Sequence, residues 1–349
     1  QSHQPLGSLG SVPRNNDLGF LSLATKCDPK GVSSCSSVIN DIIASMLAGD
    51  IPNQSILIDG RFRTTEPLLI DRSALVADPI LGARTQISFV GYGAAHGQLV
   101  SDHNGACIDY RGNSGDGVRS LLKWGGFGLY GPSRAAGSRG ILTDKLVFFD
   151  FDNVDLNNFE YGFKSTDTFL GSFNNVRMVQ NKYGIRMEAN SFSGPNAVTF
   201  RNVTIGHNKT YGAYLKGGSG ISFIGGSVEG NGTDGISEDT GSFGMLLTET
   251  GGYGQGVLSM SGTYFEGNKG YADLWLDSYL LPSTYSVTGC TFNRTSSTQY
   301  TLLQIAGSCG STGAGSICHV AGNGFGAFGT YTDNGSRPNI GGTINMFAD

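Results

Sequence analysis

Glu229 and Glu266 hold the same place in two otherwise different segments, GGSVEGNG (225–232) and GTYFEGNKG (262–270). Each runs apolar residue, Glu, Gly, Asn. Only 15% of the residues are charged, so a carboxylate repeated in one context invites a chemical reading. If Val228 and Phe265 point into a core, both carboxylates point outward on one face. At the ~4.8 Å spacing of paired strands, two like charges disfavour simultaneous ionisation. One carboxylic acid and one carboxylate across a glycosidic bond is the shared requirement of glycoside hydrolysis. That spacing lies nearer the retaining than the inverting geometry, and no stereochemistry follows from it. The competing reading is structural, because a Glu between a strand end and Gly-Asn also suits a solvated turn.

For residues 229 and 266 to meet, the chain must return on itself at a regular interval, and a weak repeat says that it does. Its core is an apolar residue, a second inward residue three positions on, and a third two positions after that. It recurs at Phe151/Val154/Leu156, Phe173/Val176/Met178, Phe200/Val203/Ile205, Phe223/Gly226/Val228, Met260/Thr263/Phe265 and Val287/Cys290/Phe292. Trp124/Phe127/Leu129 is an earlier instance. The first positions are separated by 22, 27, 23, 37 and 27 residues, as in a solenoid with fixed strands and variable loops. Alternation within each unit marks a strand with one face inward. Asn181, Asn208, Asn231 and Asn268 follow three residues later. Asn tolerates left-handed backbone and bonds to its neighbours, so a stacked Asn column would stabilise each turn. A second strand follows, as in Ile185/Met187, Ala213/Leu215 and Leu274/Leu276.

Composition agrees. Glycine supplies 55 of the 349 residues without a strict period, which reads as a turn-rich β protein. No linker divides the chain, and the expected organisation is an N-terminal segment with a capping helix (1–50), a parallel β-helix (51–330) and a C-terminal segment (331–349). In the capping helix, Ser37 is placed as the cap, and Val38, Ile39, Ile42, Ile43, Met46 and Leu47 form one apolar stripe. SILIDGRFRTTEPLLI (55–70) reads as a strand, a turn and a second strand. The net charge of −5 argues against nucleic acid as a partner and slightly against acidic glycans. No apolar run approaches the ~20 residues of a membrane span, and a start at Gln1 reads as a trimmed product. Local disulfides Cys27–Cys35 and Cys309–Cys318 stand against free buried thiols, and pairing would imply an oxidising compartment. The five histidines show no metal spacing, so neither metal nor cofactor is expected.

The helix, ILIDGRFRTTEPLLI, ISFVGYG and rungs such as YFEGN resemble the pectate-lyase-like superfamily of right-handed, single-stranded parallel β-helices. Within it the chain is most similar to the receptor-binding, polysaccharide-depolymerising domains of bacteriophage tailspikes, over roughly residues 20–330. The superfamily's usual DG…DDT before the first helix is replaced here by CDPKGVSSCSS. The resemblance implies a homotrimer, extracellular or virion-borne, acting on a bacterial capsular polysaccharide, exopolysaccharide or O-antigen.

Extending the alternation outward gives a polar strip: Asp155/Asn157, Arg177/Val179, Thr204/Gly206, Ser227/Glu229, Tyr264/Glu266 and Thr291/Asn293. Glu229 and Glu266 are the candidate catalytic pair, with Arg177, Thr204, Ser227, Tyr264 and Asn293 binding substrate. Glu238 and Asp239, in the insertion 232–244, are further candidates beside the groove, against the reading of a solvated loop. Tyr214 and Trp275 lie outward on the second strand, as a sugar platform or a subunit interface. His207 reads as a turn residue rather than a base. The rival functions are a polysaccharide lyase on the same fold, with Arg177, Arg186 or Tyr264 as candidate base, and a non-catalytic adhesin or virion protein.

Overall fold

The computed structural model describes residues 19–52, 54–74, 86–112, 122–190, 194–232, 242–248, 257–270, 272–278, 284–293, 301–307, 317–325 and 330–333. Among these, the strands form two parallel sheets, one of nineteen strands and one of ten. One coil shows the plan. Phe169–Asn174 and Arg177–Val179 lie in the larger sheet, bent at Asn175 and Val176, and Tyr183–Glu188 lies in the smaller. The next coil repeats it as Asn196–Arg201, Thr204–Gly206 and Tyr211–Lys216. Phe173 pairs with Phe200, Met178 with Ile205 and Ile185 with Ala213. The fold is a right-handed, single-stranded parallel β-helix with a short N-terminal helix.

Alternation produces this because every second side chain of each strand enters a shared core. Phe151, Val154 and Leu156, and their successors Phe173, Val176 and Met178, are all buried. Identical types then stack along the axis. Phe200 lies face to face with Phe173 at 4.9 Å and with Phe223 at 4.4 Å. The longest coil keeps register, with Phe223 paired to Met260.

The Asn column forms as expected, with one correction. The Oδ1 atoms of Asn208, Asn231 and Asn268 accept the backbone N–H of the Asn one coil earlier at 3.0, 3.1 and 3.1 Å. The Nδ2 groups of Asn181, Asn208, Asn231 and Asn268 donate to Leu156, Met178, Ile205 and Val228 carbonyls. All four are buried. The left-handed residue at each corner is the one before the Asn: Gln180, His207, Gly230 and Gly267. The amide side chain must point inward to reach its carbonyl, and the residue ahead of it makes the turn.

At the N-terminal end the helix, Ser36–Ala48, buries Ile39, Ile43 and Met46, with Val38, Ile42 and Leu47 packed against the same core. Its N-cap is Cys35, not Ser37, and no side chain caps it. Cys35 is also disulfide-bonded to Cys27. The Ser36 hydroxyl instead accepts the Thr65 N–H at 2.8 Å. Asn40 acts as a piece of strand: its Nδ2 donates to the Pro67 carbonyl and its Oδ1 accepts the Leu69 N–H, both at 3.0 Å. That covers the edge strand Leu68–Asp71, whose unpaired backbone would otherwise invite association. Residues 55–70 hold three strands rather than two: Ser55–Ile58, Arg61–Thr64 and the start of Leu68–Asp71. The segment is thus a whole coil. Cys309 lies outside the described residues, while Cys107 and Cys290 are buried free thiols. No helix among the described residues is long and apolar enough to cross a membrane.

Candidate active site

Ser227–Glu229 pairs with Tyr264–Glu266 so that Val228 meets Phe265 in the core while Glu229 meets Glu266 outside. The register continues through Thr204/Gly206, Arg177/Val179 and Asp155/Asn157 on one side and Thr291/Asn293 on the other, but Val179 and Gly206, expected to face outward, are buried. Both glutamates are half-buried.

The recurring Glu-Gly-Asn divides into parts with different causes. Gly230 and Gly267 take φ of 63° and 59°, where a side chain is strained, and Asn231 and Asn268 belong to the buried column. Gly and Asn therefore serve the corner. The Glu does not, since coils at the same register carry Asn157, Val179, Gly206 and Asn293 there. The fold makes no demand for a carboxylate at this position, yet two adjacent coils have one.

Hydrogen bonds set the two apart. The Tyr264 phenol donates to Glu266 Oε2 at 2.9 Å and accepts from Asn293 Nδ2 at 3.4 Å, so three coil-end side chains form one chain. Among the described residues, Glu229 receives a single long contact, from the Ser227 hydroxyl at 3.4 Å. His207 is a turn residue, and its ring leans over the next corner, where a Cβ on Gly230 would come within 2.6 Å of Nδ1. Towards the other end, Arg177 Nη1 donates to Asp155 Oδ2 at 3.0 Å. Burial pushes the Asp155 carboxyl above its ordinary value, opposed by the Arg177 charge and hydrogen bond.

No protein-family model matches the chain, and no curated protein matches it significantly. Among solved structures, the enzymatically active domain of tailspike protein 2 from bacteriophage CBA120 superposes with a TM-score of 0.53 at 13% identity, over 85% of this chain and 41% of that one. The chain shares the parallel β-helix fold of that domain. It spans about two fifths of the length of that tailspike. DFA-IIIase from Arthrobacter chlorophenolicus A6, solved with DFA-III, gives 0.51 at 13% identity, over 88% and 76% of the two chains. Likeness at this level establishes the coil and leaves chemistry to the side chains.

On this fold the remaining candidates separate. Glu238 and Asp239 lie outside the described residues. Thr204 sits in the strip beside Ser227, and Arg177 one coil further away. Tyr214 and Trp275 are on the smaller sheet, two coils apart with Leu246 between them, and not on the strip. They pack edge-on against Phe243, part of a ring stack running Tyr161, Tyr183, Tyr211, Phe243 at 4.6, 4.6 and 5.0 Å. Rings stacked along the axis offer one another their faces, and Tyr211 and Phe243 are buried within the stack. The Arg186 guanidinium lies 5.2 Å from the Tyr214 ring centroid. A surface pocket of about 580 Å³, lined by Ser88, Lys123, Asp150 and Leu170 among others, occupies another part of the larger sheet and contains neither glutamate.

Sequence reasoning passed over Tyr130 as a member of the strip. The signal was present: alternation outward from Phe127 and Leu129 places Gly128 and Tyr130 there, and the register pairs them with Asp155 and Asn157.

Proposed function

We propose that this chain is the polysaccharide-cleaving domain of a tailspike-like protein, an endo-acting glycoside hydrolase for a bacterial capsular polysaccharide, exopolysaccharide or O-antigen. The observation that carries this reading is the facing of Glu229 and Glu266 on adjacent coils, at a position where the fold requires no carboxylate. Glu266, held by the Tyr264 phenol, is oriented as base or nucleophile. Glu229, with only the long Ser227 contact, has an oxygen free to protonate the leaving group. Ser227, Thr204 and Asn293 offer hydroxyl and amide groups to the sugar, and an extended polymer fits a straight strip better than a compact ligand does. The Cys27–Cys35 disulfide suits an extracellular or virion setting. Assembly as a homotrimer belongs to the same reading.

A digest of bacterial surface polysaccharides, read by mass, tests this. Shortened products carrying one added water per cut are expected. Unsaturated products absorbing in the ultraviolet would assign a lyase instead, and binding without shortening would assign an adhesin.

A further inference from the structure

We propose that the strip carries, at its N-terminal end, a binding subsite for an acidic sugar residue, built from Tyr130, Arg61 and Arg177. It rests on the reading of the strip as a polysaccharide groove.

Tyr130 does not stand upright as an alternating outward residue would. Its ring folds back across Gly128, where a Cβ would come within 2.8 Å of Cε2 and 3.3 Å of the phenol oxygen. Only a residue without a side chain leaves room for that ring to lie down. The half-buried ring thus lies along the strip beside Ala94, where a pyranose can pack against its exposed part. The rings of the smaller sheet are instead stacked on one another.

The charges around it are ordered along one column. Arg61, Gln98, Gly128, Asp155 and Arg177 occupy successive coils in register. Arg61 is exposed, and no ion pair holds it among the described residues. Asp155 is the only carboxylate in the column and lies beneath the guanidinium, its side chain 14% exposed against 56% for Arg177. One Arg177 nitrogen is anchored on Asp155, leaving its other donors for solvent or a ligand. Both arginines act on the Tyr130 phenol, whose proton is held chiefly by burial and by the Asp155 charge. Two cations against one carboxylate leave this end positive, while Glu229 and Glu266 make the other end negative.

An anionic group therefore finds attraction at Tyr130 and repulsion at the catalytic pair. Tyr130, Asn157, Val179, Gly206 and Glu229 are successive partners, so four rung spacings, ~19 Å, separate Tyr130 from Glu229, while Arg177 reaches out from a coil two rungs from that of Glu229. The acidic residue must then sit some way along the polymer from the bond that is cut. The overall charge of −5 does not speak against this, because recognition depends on the field in the groove.

The test is retention in native gels cast with acidic bacterial capsular and exopolysaccharides, and with the same polymers after their carboxyl groups are reduced to alcohols. Retention by an acidic polymer, lost on reduction, weakened by salt and lowered about tenfold in Arg61→Gln and Tyr130→Ala with each variant still folded by its melting transition, is expected. Equal retention by native and reduced polymer overturns the subsite while leaving the hydrolase standing. Retention by neutral polymers alone, or no effect of either substitution, also overturns it. Absence of cleavage alongside salt-sensitive retention of an acidic polymer would remove the hydrolase and keep the subsite.

Discussion

Glu229 and Glu266 are direct partners across neighbouring parallel strands, one coil apart, with their backbones tied to the same corner. The carbonyl of Glu229 accepts the N–H of His207, and that of Glu266 accepts the N–H of Gly230. The main chain at both positions is fixed by the coil, and each side chain is free to act. Glu229→Gln and Glu266→Gln should each abolish polymer cleavage, with a melting temperature within about a degree or two of the parent, as expected for half-exposed isosteric changes. Full turnover in both variants would remove the pair from the mechanism.

The Asn column should be the opposite case, costly to stability because its side chains point into the core rather than into the groove. Asn231 accepts the Asn208 N–H and donates to Ile205 O and Asn268 Oδ1 inside the protein. Asn231→Ala leaves these buried groups without partners, each at about 1–3 kcal/mol. A loss of roughly 3–5 kcal/mol in urea unfolding is expected, against almost none for Ser259→Ala at an exposed strand position.

Asp155 gives a pH dependence whose sign follows from its environment. Burial raises its carboxyl above 3.8 in the folded state, with Arg177 pulling the other way. The folded protein then binds the proton more tightly than the unfolded chain, so stability from this group is greatest below 3.8 and falls as pH rises through the folded value. Asp155→Asn removes that dependence. The difference in melting temperature between variant and parent should grow in favour of the variant from about pH 3 upward, then level off. A difference independent of pH would contradict it.

The Cys107 thiol is buried, with its pKa pushed up to about 12 mainly by desolvation and only partly offset by Thr64. It stays protonated at ordinary pH, and the thiolate is the reactive form. Iodoacetamide at pH 8 should leave Cys107 unmodified in the native protein and alkylate it in urea, as read by peptide mass. Native-state labelling would mean that the core opens there.

Much of this molecule was legible because a β-helix converts local alternation into long-range geometry. Once Val228 and Phe265 are inward, the residues beside them are outward, and a rung spacing that is the same for every coil places them next to each other. That reasoning reached the strip, the Asn column and the glutamate pair without any knowledge of loops. It failed where a position depended on how a side chain lies rather than which way it points. The left-handed corner residue, Cys35 as the helix cap and the three strands within 55–70 were all decided by local competition between hydrogen bonds that periodicity does not rank.

What the sequence determined by itself, then, was register: which residues share a face and which coils are neighbours, because strand period and rung spacing are constants of the backbone. Conformation within that register was settled by the closed coil. The bend of Tyr130 over Gly128, the bond from Tyr264 to Glu266 and the anchoring of Arg177 on Asp155 each depend on the space and partners that adjacent coils provide. Those partners exist only after the coil has closed, so no pattern along the chain could announce them.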